Sequence, residues 1–288
     1  MIKKVFSLLI CLFLLATPLQ AYKYKLSICT VFQNEAPYLK EWIEFHRLVG
    51  VEHFYLFNNL STDHYREVLK PYIKAGIVEL FDWPYEFKEW KEWDDIQVKA
   101  LQKGWKKAYG KTKWLAFLDS DEFLFPTQCD SLVEFLKSFE SMPHVGGICV
   151  NWVMYGTSNV AKIPDDKLLI ETLVWSAGDG NHHFKSIVRP ERVSVVCSPH
   201  YVIYKEGIIH CTPSNQPVHP PFVDIEKIRI NHYWSRDEYY LNNVKIPRRM
   251  RWGTPLETCQ LWGSMNNAYY DTSIFRFIEP LRKKVFKK

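Results

Sequence analysis

Between residues 26 and 125 the chain alternates short β-rich runs with stretches of helical spacing. That alternation narrows the possible folds more than any other feature. "LSICTVF" is followed by "NEAPYLKEWIEFHRLVG", where Leu39, Trp42, Ile43 and His46 recur at helical intervals and Gly50 closes the pattern. "VEHFYLFNN" leads into a helix over 63–75 that Gly76 ends, and "IVELFDW" reads as a third strand. After an aromatic, charged loop at 83–93, a helix puts Val98, Leu101, Trp105 and Ala108 on one face. The fourth strand, "KWLAFLD", is continuously apolar, as a central parallel strand covered on both sides must be. Strand, helix, strand, helix at this spacing predicts a doubly wound α/β sheet.

The second half is less regular. Strands are expected near 145–153, 185–189, 201–210 and 228–232, with many Pro and His residues between them. Ser235 and Glu238 form a capping-box pattern that opens a helix over "RDEYYLNNV". No internal repeat or low-complexity tract divides the chain.

Residues 1–21 read as a secretory signal peptide: Lys3 and Lys4, an apolar run from Val5 to Ala16, then a short exit to Ala21. Twelve apolar residues make a helix of about 18 Å, short of a bilayer core of about 30 Å. Leu19 makes the cleavage site imperfect, so a signal anchor that keeps the chain membrane-associated is the alternative. Either places the folded part on the secretory route. Much of the formal charge of +5 sits in the tail "RKKVFKK", which leaves no basic face for nucleic acid. Of seven cysteines, Cys29 belongs to a core strand, while Cys149 and Cys197 admit a disulfide.

Open α/β sheets bind ligands beyond the carboxyl ends of their strands. Four polar clusters fall there: 30–35, 58–63, 82 onward and 119–122. No Gly-x-Gly-x-x-Gly follows the first strand and no Walker loop occurs, which excludes the common dinucleotide and P-loop sites. In "WLAFLDSDEFLFP", Asp119, Asp121 and Glu122 interrupt an apolar segment. Such acids either cap a helix or hold a hard divalent cation shared with substrate phosphates. Two unpaired carboxylates so close would repel each other without a cation.

"SICTVFQNEAPYLKEWIEFHRLVGVEHFYLFNNLSTDHY" followed by "WLAFLDSDEFLFP" resembles glycosyltransferases of the family-92 and family-2-like groups. "VNWVMYGTS", "KSIVRPERV", "SPHYV" and "INHYWS" continue the likeness to about residue 245. The resemblance implies a GT-A fold, a Rossmann-like and mostly parallel sheet flanked by helices, over 22–245. The less regular half then completes the acceptor side, and 246–288 forms a C-terminal extension with a basic tail. It implies transfer of a hexose, galactose favoured, from a UDP-linked donor to a glycan, with inversion. A divalent metal, manganese favoured over magnesium, would assist.

Residue by residue, the resemblance assigns Thr30, Asn34 and Glu35 to the nucleotide entry and Asn58 to the base. Asp95 and Gln97 fall near the ribose, Asp119 faces ribose or metal, and Asp121 binds metal. A histidine from the second half completes the metal site: His200, with His210 and His232 as alternatives and His232 also suited to phosphate. Inversion needs a base on the acceptor hydroxyl. Asp179, in the Gly-flanked "SAGDGNHH", is the candidate, with Asp165, Asp166 and Glu122 in reserve. Asn58, Asn59, Ser61 and Asp63 also suit a turn and helix cap. A metal-dependent nucleotidyltransferase or hydrolase would need a second acid cluster or a basic phosphate clamp. A non-catalytic carbohydrate-binding protein would need the aromatic residues and no paired acids.

Overall fold

A computed structural model describes residues 21–286 of the chain. The expected signal segment, residues 1–20, lies outside the described residues, and among these no helix is long and apolar enough to cross a membrane. Strands β1 (Tyr24–Phe32), β2 (His53–Asn58), β3 (Val78–Asp82) and β4 (Thr112–Phe117) lie parallel in the order β3-β2-β1-β4. Helices α1 (Ala36–Leu48), α2 (Tyr65–Lys74) and α3 (Trp90–Ala108) connect them. The expected alternation is therefore present, and the helices cover both faces. Leu26 and Ile28 pack with Trp42 and Phe45 of α1, while Cys29 and Val31 pack with Ala100 and Leu101 of α3. Successive side chains of one strand thus feed two cores. Each large apolar side chain so buried contributes about 1.5–3 kcal/mol.

Two backbone features fit the sequence reading closely. Gly50 (φ +103°) and Gly76 (φ +70°) adopt left-handed conformations just beyond α1 and α2, where a side chain would be strained. At Gly104, α3 comes so near β1 that an added Cβ would lie 2.2 Å from Cys29 Sγ.

The second half extends the same sheet. It adds β5 (Glu122–Pro126), β6 (Val145–Met154), β7 (Trp175–Ser176), β8 (Asn181–Val188), β9 (Val193–Val196), β10 (Val202–Tyr204), β11 (Ile209–Cys211), β12 (Ile228–His232) and β13 (Tyr269–Tyr270). Past β4 the order continues β8-β6-β12-β5, with β11 also beside β6; β7 pairs β13 and β9 pairs β10 in small ribbons. Strand β8 is antiparallel to β4 and β6, and β12 is parallel to β6 and antiparallel to β5. Hence β1, β4, β6 and β12 end on one rim, and β5 and β8 begin there.

No helix starts at the acids after β4. The chain turns at Ser120 and runs back as β5, where Phe123, Leu124 and Phe125 are buried and Trp42 Nε1 donates 2.8 Å to the Glu122 carbonyl. The next helix, α4 (Leu132–Glu140), is capped by Ser131, so the capping role does not apply to Asp119 or Asp121.

Three expectations need revision. Asp237, not Ser235, caps the helix at Glu238–Tyr240, because its carboxylate accepts the Tyr240 N–H at 2.8 Å. The six described cysteines are all free thiols. Residues 246–266, expected as part of an extension, form helices that line the same rim as the acids, so no boundary at 245 separates them from the site.

Candidate active site

The converging strand ends enclose a cavity of about 610 Å³. Its floor is the acid turn. Asp119 Oδ1 accepts a hydrogen bond from Gln97 Nε2 at 2.8 Å, and Asp119 Oδ2 accepts one from Lys185 Nζ at 2.8 Å. Asp121 Oδ2 is 3.0 Å from Lys245 Nζ, and its Oδ1 is 3.4 Å from His232 Nε2. The register of β5 against β12 sets His232 opposite Glu122, while the Tyr233 N–H donates to the Asp121 carbonyl at 2.9 Å. Main-chain pairing therefore fixes this contact.

The expected repulsion between the carboxylates is present but outweighed, because buried amines contact both. Burial alone would raise the Asp121 carboxyl, but Lys245, His232 and Arg236 outweigh it and hold it well below the usual range. Asp119 is lowered in the same way, burial being outweighed chiefly by Lys185. Burial pushes Glu122 well above the ordinary carboxyl value, with Lys185 only partly offsetting it. One Glu122 oxygen accepts the Asp119 N–H at 2.8 Å, and the other is buried without a hydrogen-bond partner, 3.7 Å from Lys185 Nζ. Lys245 is lowered to about 8 by burial, against the pull of Asp121, and Arg248 adds repulsion.

The expected nucleotide and acceptor residues divide. Gln97, Asp119, Asp121, Glu35, His200 and His232 all line the cavity. Glu35 is held by the buried Arg236, whose guanidinium stacks on Tyr38 and Tyr240. Thr30 is buried behind the rim and donates its hydroxyl to the Leu118 carbonyl, bracing β1 against the acid turn. Asn34 is exposed, and its side chain accepts the Thr62 N–H at 2.8 Å. Asn58 donates to Tyr65 Oη at 2.8 Å and accepts the Ser61 N–H at 3.1 Å, the turn-forming role. Asp95 is exposed; Asp94, its neighbour on α3, faces the cavity instead. Asp179 is exposed in the turn before β8 and does not line the cavity. Asp165 and Asp166 are exposed as well. His210 is packed edge-on against Tyr204 away from the cavity.

Among the described residues no group of three His, Cys, Asp or Glu side chains is placed to hold a metal. Asp121 Oδ1 and His232 Nε2, 3.4 Å apart, nonetheless suit two adjacent ligands of one small cation. The donor set fits a divalent ion whose other ligands would come from substrate oxygens. His232, rather than His200, stands against Asp121, as the β5–β12 register dictates.

A basic cluster lies beside the acids, a placement that carries no signal in the sequence. Lys245 lies in a π-helical turn (Leu241–Lys245), and Arg248 and Arg249 follow one turn later into the cavity. Arg249 lies 5.1–5.8 Å from the rings of Trp90, Trp234, Trp252 and Trp262. Phe87 and Trp93 meet Trp252 from the other side. The cluster "KIPRR" was the available signal, but without the fold nothing aimed it at residues 119–121.

Comparison with known proteins agrees with the residue-level likeness. The family model described as "Glycosyltransferase family 92" matches residues 22–263. A glycosyltransferase family 92 protein of Arabidopsis thaliana is 29% identical over 199 residues, 65% of this chain and 33% of that protein. A beta-1,4-galactosyltransferase of Caenorhabditis elegans is 26% identical over 198 residues, 66% of this chain and 43% of that protein. The chain thus spans about a third to under a half of the length of these relatives. Among solved structures, S. aureus TarS 1-349 is 10% identical over 84% of this chain and 70% of that one, with a TM-score of 0.38. That likeness is too distant to bear on the site.

Proposed function

The chain belongs to glycosyltransferase family 92, and from that premise we propose that it transfers a hexose from a UDP-linked donor to a glycan hydroxyl with inversion. Galactose is the favoured sugar, on the strength of the galactosyltransferase relative. One observation carries the reading: an acid turn and a basic cluster line one cavity together. Asp121 and His232 stand against each other, Lys245 contacts Asp121, and Arg248 and Arg249 line the same cavity. A sugar diphosphate needs both, a cation site for its oxygens and fixed positive charge for the leaving group. Asp121 and His232 would hold a divalent ion, manganese favoured, which would neutralise charge developing on the diphosphate. Lys245 and the two arginines would bind the phosphates directly. Gln97 holds Asp119, which would face the ribose, and the aromatic cluster of Phe87, Trp93 and Trp252 would offer ring faces to the nucleobase.

The same basic cluster is what a nucleotidyltransferase would also require. The two readings differ in product: from UDP-galactose, hexosyl transfer releases UDP, whereas uridylyl transfer releases galactose 1-phosphate. UDP release from UDP-galactose, measured with and without manganese, tests the proposal; galactose 1-phosphate as the product would overturn it. We also propose a lumenal or membrane-anchored location, from the signal-like segment. N-terminal mass spectrometry finding Met1 intact on cytosolic protein would refute it.

A further inference from the structure

The carboxylates at the base of the cavity are already engaged: Asp119 by Gln97 and Lys185, Asp121 by Lys245 and His232, and Glu35 by Arg236. Asp94 lies on the α3 wall, one turn before Gln97. His200 is differently placed. Its Nδ1 is 2.9 Å from the Phe184 carbonyl, which can only accept, so Nδ1 carries the hydrogen and Nε2 keeps a lone pair. That Nε2 has no partner among the described residues, and the residue lines the cavity. Its backbone is fixed on both sides: its N–H donates to Ser198 Oγ at 3.1 Å, and its carbonyl accepts from Ser186 Oγ at 2.6 Å.

The ring's position relative to the acid turn supplies the second observation. Trp152 meets the His200 ring at 5.4 Å between centroids and the His232 ring at 4.5 Å, both edge-on. His232 is the residue against Asp121. Both rings therefore pack on the same indole, which sets His200 beside the Asp121–His232 pair without touching it. Inversion needs a base that stands off the diphosphate-binding groups, because the base and the leaving group act from opposite sides of the anomeric carbon.

We propose that His200 is the general base that activates the acceptor hydroxyl. The assignment rests on the glycosyltransferase reading of the same cavity. In the step, the acceptor O–H proton passes to His200 Nε2 and the oxygen forms a bond to the anomeric carbon. The bond from that carbon to the diphosphate oxygen breaks, and its electron pair leaves with the diphosphate. Burial and the nearby Lys185 lower the imidazole to about 4, against the Phe184 carbonyl and Asp119, and His183 adds to the lowering. The ring is thus neutral at physiological pH with its Nε2 lone pair available, and it is a weaker base than an ordinary imidazole. His183, which also lines the cavity, is the rival: it is exposed, and its Nδ1 is bound by the Asn181 side chain at 2.6 Å.

Three variants of the full chain test this: His200→Gln, His200→Ala and His183→Ala. UDP binding is measured by calorimetry, turnover as UDP release from UDP-galactose, and folding by thermal melts. His200→Gln is expected to lower kcat about 100-fold or more, leaving the UDP affinity and melting temperature near those of the parent. Added imidazole should restore turnover in His200→Ala, with a pH profile following free imidazole. Imidazole should not restore whatever turnover His183→Ala loses. Turnover retained in His200→Gln, absence of imidazole rescue in His200→Ala, or imidazole rescue of His183→Ala overturns the assignment while the parent's UDP release still supports the glycosyltransferase reading. A parent that neither binds UDP nor releases it from UDP-galactose overturns both.

Discussion

Lys245 Nζ lies 3.0 Å from Asp121 Oδ2, joining positions 124 residues apart across the floor of the cavity. Both side chains are largely buried, so each needs the other. Lys245→Met should destabilise the protein by about 3 kcal/mol, because it leaves a buried carboxylate with reduced compensation. A divalent cation can replace the lost charge, so manganese should stabilise this variant more than the parent. Thermal melts with and without manganese check both statements.

Asp121→Asn probes the pair from its other side. UDP with manganese should raise the melting temperature of the parent and not of the variant. Without ligand the variant should be less stable than the parent at pH 7, since Lys245 keeps a buried charge and loses its partner. Its amine, already lowered to about 8 by burial, then loses its proton more readily. The deficit is fully present below the amine's new pKa and shrinks as pH rises toward 8. Urea unfolding of both proteins at several pH values measures it.

His46 makes a prediction about acid stability. Its Nδ1 donates to the Trp42 carbonyl at 2.8 Å and its Nε2 accepts the Leu124 N–H at 3.2 Å, so the neutral ring is fully satisfied. Burial lowers it to about 3, against the Trp42 carbonyl. Below pH 6.5 the unfolded chain therefore binds a proton that the folded chain refuses. From this residue, stability should fall by about 1.4 kcal/mol per pH unit as pH drops from 6.5 toward 3. In His46→Leu that contribution to the slope should vanish, at a constant cost of about 1–3 kcal/mol for the unpaired Leu124 N–H.

Gly104→Ala tests the contact between α3 and β1. Alanine favours a helix by about 1 kcal/mol, yet its methyl would fall 2.2 Å from Cys29 Sγ in a closed core. Overpacking should win, with a net loss of about 1–3 kcal/mol. A variant as stable as the parent in urea would show that α3 can shift away from the sheet.

The first four strands, the helices between them and the acid turn at a strand end were all readable from the residues alone. Those features are local: hydrophobic spacing, glycine at helix ends and an apolar strand that must stop somewhere. Asp119 and Asp121 were legible because the rim of a parallel sheet gathers strand ends whatever the loops do, whereas Gln97, on α3, was indicated only by the family resemblance. Tertiary structure alone decided what faces them. The antiparallel insertion of β8 brings Lys185 to Asp119, the β5–β12 register selects His232 over His200, and the π-helical turn carries Lys245 to Asp121. Asp95 and Asp94 are neighbours, yet the rotation of one helix exposes the first and turns the second inward. Asn58 was open to a turn role or a base contact, and only the placement of Tyr65 and Ser61 decided for the turn. Contacts across more than a hundred residues leave no periodic trace in the chain, because they depend on strand direction and register, which many sequences of the same local pattern could satisfy differently.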